Sequence, residues 1–182
     1  PHLTNRRQRQ MCIRDSRGPL PSEDIISWNI RRRIKILNFQ FHGYFYKNEK
    51  NAFEDVRKVF LKKFLISENF LLHIHSVSDH YSKELNKRFF KKNYPTDVLT
   101  IPLYKDLASI NELDKNNNEI LGDLFLNRKL IKKHSKKYAK TLIEEYQLVL
   151  VHGLLHLIGY SHDDAKKLSS IENTILKKVW NE

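Results

Sequence analysis

The sequence predicts an α+β fold: a small mixed β-sheet packed with helices, including a central buried helix that carries metal-binding histidines. Three observations predict it. Short runs of β-type alternation are interspersed with stretches of helical periodicity, an order that suits a mixed sheet covered by helices. One helical stretch is apolar almost all round from Leu148 to Ile158, as a central helix must be. That same stretch holds His152 and His156, whose four-residue spacing puts both side chains on one helix face, about 6 Å apart along the axis.

The elements follow in order. Residues 34–39, Ile-Lys-Ile-Leu-Asn-Phe, are a short β-type run. From Ala52 to Leu65, Phe53, Val56, Val59, Phe60 and Phe64 recur at helical spacing with lysine and arginine opposite. Leu71 to Val77 alternates as a strand, with His73 and His75 on one face, where they read as surface or packing residues. Asp79 can cap a helix running to Phe89. Strands are predicted over 97–103 and 120–127, separated by a polar loop at 105–118 whose length suits a flap. A long helix over 139–158 and a last helix over 163–179 complete the chain.

The run Val151 to His162 carries the chemistry. Gly159 can take the left-handed conformation that ends a helix and turns the chain back. That return brings His162 toward His152 and His156, giving three nitrogen ligands and an open fourth position, the layout of a catalytic zinc site. Zinc proteases with the HExxHxxGxxH pattern share the spacing, but their general base is the glutamate after the first histidine. Here that position is Gly153, which cannot accept a proton, so the zinc-protease reading falls to last place.

The stretch HGLLHLIGYSH is similar to the HGxLHLxGYDH pattern of the YbeY family, bacterial rRNA maturation factors described as metal-dependent endoribonucleases. Residues 94–102, Tyr-Pro-Thr-Asp-Val-Leu-Thr-Ile-Pro, resemble the family's PTDVLSFP stretch. Residues 121–126 resemble its GDI-type strand, and Leu85-Asn86 its LN pair. The resemblance spans roughly residues 30 to 180 and implies a small sheet packed on a metal-bearing helix. It further implies one zinc per chain, and rRNA of the small ribosomal subunit as partner, with ribosome-associated proteins nearby and neither a membrane nor a nucleotide cofactor involved. The catalytic set it implies is His152, His156, His162, Asp97 and Asp123. The two aspartates are the matched carboxylates, and the choice between general base and a turn or orienting role stays open for both. Two positions depart from the family pattern. The arginine usual five residues before the proline is Phe90, with Arg88, Lys91 and Lys92 nearby; the aspartate usual before the third histidine is Ser161, with Asp163 and Asp164 placed to orient that histidine.

Composition sets the partner class. Lysine and arginine number 33 against 21 acidic residues, a net charge of +12, which favours an anionic partner such as RNA through counterion release. A lysine- and asparagine-rich residue usage accounts for part of that charge. The clustered RNA-binding candidates are Arg88, Lys91, Lys92, Arg128 and Lys129. Phe89, Phe90 and Tyr94 interleave with them as base-stacking platforms would, although aromatics at such spacing belong more often to a core. A single cysteine, Cys12, excludes a disulfide framework and suits a reducing bacterial cytoplasm. Residues 1–24 are arginine-, serine- and proline-rich without apolar periodicity, and read as a disordered or non-native tail before a single domain at 25–182. The expected function is zinc-dependent single-strand endoribonuclease in rRNA maturation, with a non-catalytic or weakly active rRNA-binding ribosome-assembly factor holding a structural metal as the alternative.

Overall fold

The structure is a computed structural model describing residues 37–64, 66, 70–113 and 119–181. The predicted tail and the boundary at residue 25 lie outside them. Along the chain run β1 (Asn38–His42), α1 (Lys47–Phe64), β2 (Leu71–Val77), α2 (Asp79–Phe90), β3 (Val98–Pro102), α3 (Leu107–Asn111), β4 (Ile120–Asn127), α4 (Arg128–Lys137), α5 (Leu142–Leu157), a 3-10 turn at His162–Asp164, and α6 (Ala165–Asn181).

Strand alternation sets the two faces of the sheet. Leu72 and Ile74 of β2 are fully buried, whereas His73 and His75, which alternate with them, are partly exposed. The sheet order is β1-β2-β4-β3, with β1, β2 and β4 parallel and β3 antiparallel to β4. The predicted mixed sheet is therefore the observed one. The row Ile74, Leu124 and Thr100 faces α5, whose Gly153 lies against the Leu124 side chain. Helices α1 and α6 flank α5 on this side, and Phe53, Phe60, Leu150, Leu154 and Ile175 fill the space between with no exposed surface. Helix α2 packs on the other side, against β3 and β4.

Several boundaries differ from the sequence reading, each for a local reason. The run expected at 34–39 forms a strand only from Asn38, with residues 34–36 outside the described set. Helix α1 starts at Lys47 instead of Ala52. Its first turn is polar, but Glu49 reaches back to accept from the Tyr46 amide at 2.8 Å, supplying a cap that periodicity does not reveal. Helix α2 is capped by Ser78, whose hydroxyl accepts from the Tyr81 amide, and Asp79 opens its first turn. The strand expected from residue 97 begins at Val98, because the Asp97 side chain accepts the Val98 amide at 2.8 Å.

The helix expected at 139–158 begins at Leu142. Thr141 and Glu144 form a capping box there, each side chain accepting from the other's backbone amide. Upstream, the basic segment read only as a charge cluster is helix α4, capped by Asn127 and anchored by the fully buried Ile131. Within the loop expected at 105–118, Asp106 caps the short helix α3 and Ile110 is wholly buried; residues 114–118 lie outside the described residues.

Candidate metal centre

Helix α5 ends in a Schellman motif, and that ending builds the site. Ile158 is the last capping residue, and Gly159 follows with φ +96°, the left-handed conformation its sequence context predicts. The Gly159 amide donates to the His156 carbonyl at 3.1 Å, and the Tyr160 amide to the Leu155 carbonyl at 3.0 Å. Tyr160 packs back on the core. A side chain at Gly159 would also meet Asp106 and the Lys105 carbonyl at 2.9 Å, so conformation and space both call for glycine.

The reversal sets His162 opposite His152 and His156, as predicted. One ring nitrogen of each lies within 4.8 Å of the other two. His152 Nε2 and His156 Nε2 are 3.0 Å apart, near the separation of about 3.3 Å that two nitrogens take around a tetrahedral zinc. The same turn orients one of the three rings. His156 Nδ1 donates to the Tyr160 carbonyl at 2.7 Å, which leaves the lone pair on Nε2, facing the other histidines. Burial pushes the His156 imidazole below the usual histidine range, and the neighbouring His152 and His162 add to that, while the Tyr160 carbonyl opposes it. The ring is therefore neutral and ligand-ready near pH 7. Glu172 of α6 brings a carboxylate oxygen to 3.6 Å from His152 Nδ1. These donors fit a zinc ion.

The carboxylates expected to orient His162 act elsewhere. Asp163 accepts from the Ser161 hydroxyl at 2.8 Å, and Asp164 accepts the Lys167 amide at 3.0 Å, so both shape the turn into α6. Glu172 was missed from sequence, because the contact joins two helices with no motif between them.

The triad opens into a cavity of about 500 Å³ that Asp97, Phe90, Lys92, Tyr94 and Glu172 also line. Asp97, predicted as catalytic, is thus brought to the site. Its Oδ2 accepts from His134 Nδ1 at 2.9 Å, and Oδ1 accepts the Val98 amide and the Thr96 hydroxyl. Asp123 is not brought there. It lies on the opposite sheet face, where its Oδ1 accepts from His75 Nε2 at 2.7 Å.

The basic candidates divide as well. Lys92 lines the cavity, while Lys91 takes the left-handed cap of α2 and Arg88 lies over the Phe89 ring. Arg128 pairs at 2.6 Å with the buried Glu49, and Lys129 pairs with Asp79, so both serve ion pairs of the fold. Phe89, Phe90 and Tyr94 are exposed, against the core role their spacing favours, and Phe90 and Tyr94 stand at the cavity.

Fold and site together define a class: a small α+β protein whose cavity is lined by a three-histidine cluster at the end of a buried helix. The chain belongs to the YbeY family, whose model, described as Endoribonuclease YbeY, matches residues 36–180. It is 34% identical over 150 residues to an Endoribonuclease YbeY of Buchnera aphidicola, covering 78% of this chain and 88% of that one. It is 36% identical over 127 residues to an Endoribonuclease YbeY of Phytoplasma mali, covering 68% and 76%. A solution structure of a Thermotoga maritima protein matches with a TM-score of 0.55 at 24% identity, over 79% of this chain and 90% of that one, a likeness of fold.

Proposed function

We propose that this chain is a zinc-dependent endoribonuclease that cleaves single-stranded RNA in rRNA maturation, processing the 3′ end of small-subunit rRNA and serving ribosome quality control in the bacterial cytoplasm. The convergence of His152, His156 and His162 on one point of an open cavity carries the reading. Family membership supports the RNA substrate, as the relatives bear the name endoribonuclease. Among the described residues, no helix is long and apolar enough to cross a membrane.

A zinc held by the three histidines supplies Lewis-acid polarisation of a phosphoryl oxygen and lowers the pKa of water. The chain's own groups do the remainder. Lys92 places a positive charge at the cavity, where the phosphate's non-bridging oxygens gain charge during cleavage. Phe90 and Tyr94 offer exposed ring faces on which unpaired bases stack. Asp97 holds His134 and the start of β3, which fixes the cavity wall. Asp97→Asn separates its roles. Unchanged cleavage with unchanged metal content excludes Asp97 as the base, and lost cleavage with intact metal shows that it acts in the reaction, as base or by holding His134 and the cavity wall.

One observation favours a second reading. Phe90 lines the cavity where the family resemblance leads one to expect arginine, so the charge complement there is weaker. A ribosome-assembly factor with a structural or weakly active metal site suits that deficit. RNA binding that survives chelation without any cleavage supports the assembly factor; cleavage that requires the metal supports the nuclease.

A further inference from the structure

Parallel strand pairing sets His42 of β1 beside His75 of β2, two residues along β2 from His73, which itself pairs with Asp123 of β4. By alternation these side chains share the sheet face opposite α5. One ring nitrogen from each of His42, His73 and His75 lies within 4.8 Å of the other two. The His42 and His75 rings lie 4.5 Å apart and nearly parallel, with His73 edge-on to His42 at 4.9 Å.

Asp123 organises the cluster. His75 Nε2 donates to its Oδ1 at 2.7 Å, which leaves the lone pair of the neutral ring on Nδ1. The same oxygen is 3.6 Å from His73 Nδ1. A carboxylate behind a histidine is the arrangement that fixes the tautomer of a metal-bound imidazole. His42 Nε2 and His73 Nε2 are both buried, and neither has a hydrogen-bond partner among the described residues. Buried nitrogens left without a partner are costly, and a bound cation removes that cost. His73, His75 and Asp123 keep 21%, 23% and 32% of their side-chain surface open, so an ion has a way in.

We infer that His42, His73 and His75, with Asp123 behind them, form a second metal site, separate from the cavity triad, that takes a first-row divalent ion favoured by imidazole, such as zinc or cobalt.

The test counts metal in the full chain, untagged, stripped with chelator, reloaded with zinc and dialysed. His152→Ala/His156→Ala removes the cavity site and His42→Gln/His75→Gln the sheet-face site, with circular dichroism checking the fold of each. The inference predicts that the cavity variant keeps one zinc, which the four-substitution variant then loses. Asp123→Asn in the cavity-variant background weakens that remaining site about 10- to 100-fold. Cobalt in the cavity variant should give a tetrahedral visible spectrum that His73→Gln abolishes, with circular dichroism again checking the fold. A folded cavity variant that binds neither ion overturns the inference and leaves the triad reading standing. A sheet-face variant as metal-rich as the wild type also overturns it, whereas failure of the triad alone appears as wild-type loading that His152→Ala/His156→Ala does not alter.

Discussion

Gly153 lies where α5 crosses the sheet, and its missing side chain decides how closely the two approach. From the sequence it is notable for the glutamate it replaces. In the structure a Cβ there would sit 2.3 Å from Leu124 Cδ1 and 3.1 Å from Thr100 Oγ1, where α5 crosses the sheet. Leu124 is fully buried, so its methyl can yield only by repacking the core around it. Gly153→Ala should therefore cost about 1–3 kcal/mol of stability through overpacking, read as a lower melting temperature. An unchanged melting temperature would mean that the helix can ride higher on the sheet. Three residues on, His156 needed only local information to be recognised: its partner four residues back and the glycine stop after it. His42 had no such signal, because its neighbours His73 and His75 meet it through parallel strand pairing across α1.

At the scale of elements, local signals account for most of what sequence revealed. β2 and β4 have the predicted bounds, since alternation and flanking polar residues agree there. The start of α5 was misplaced although Thr141 and Glu144 spell a capping box. Helical periodicity extends the apolar stripe backwards, and the cap overrules it. Thr141→Ala should cost about 1 kcal/mol, visible as earlier thermal loss of helical signal. The backbone amide and hydroxyl of Thr141 hold the Glu144 carboxyl below the usual carboxylate range. A carboxylate with a depressed folded-state pKa stabilises above its unfolded value and loses that effect as pH falls through the folded value. The wild type should thus lose part of its advantage over Glu144→Gln below about pH 4.5, and keep it at neutral pH. Equal pH profiles for the two proteins would remove this role for the cap.

For the whole molecule, the charge of +12 is informative only once its placement is known. Part of the predicted basic surface is tied up in ion pairs: Arg128 with the buried Glu49 and Lys129 with Asp79. Sequence clustering cannot separate such cations from free ones, because their acidic partners lie far along the chain. Lys92 remains at the cavity with Phe90 and Tyr94. Single-stranded RNA should bind more weakly as salt rises, and Lys92→Ala should flatten the slope of log affinity against log salt by about 0.7, one phosphate contact. An identical slope would place the RNA path elsewhere.

Cleavage of a 3′-extended small-subunit rRNA fragment by zinc-loaded wild type beside His156→Ala, with metal content measured on both, tests whether the three histidines hold the metal with which RNA is cut. The wild type should cleave, and the variant should lose both zinc at the triad and cleavage. Equal cleavage by the two proteins would contradict that role of the histidines.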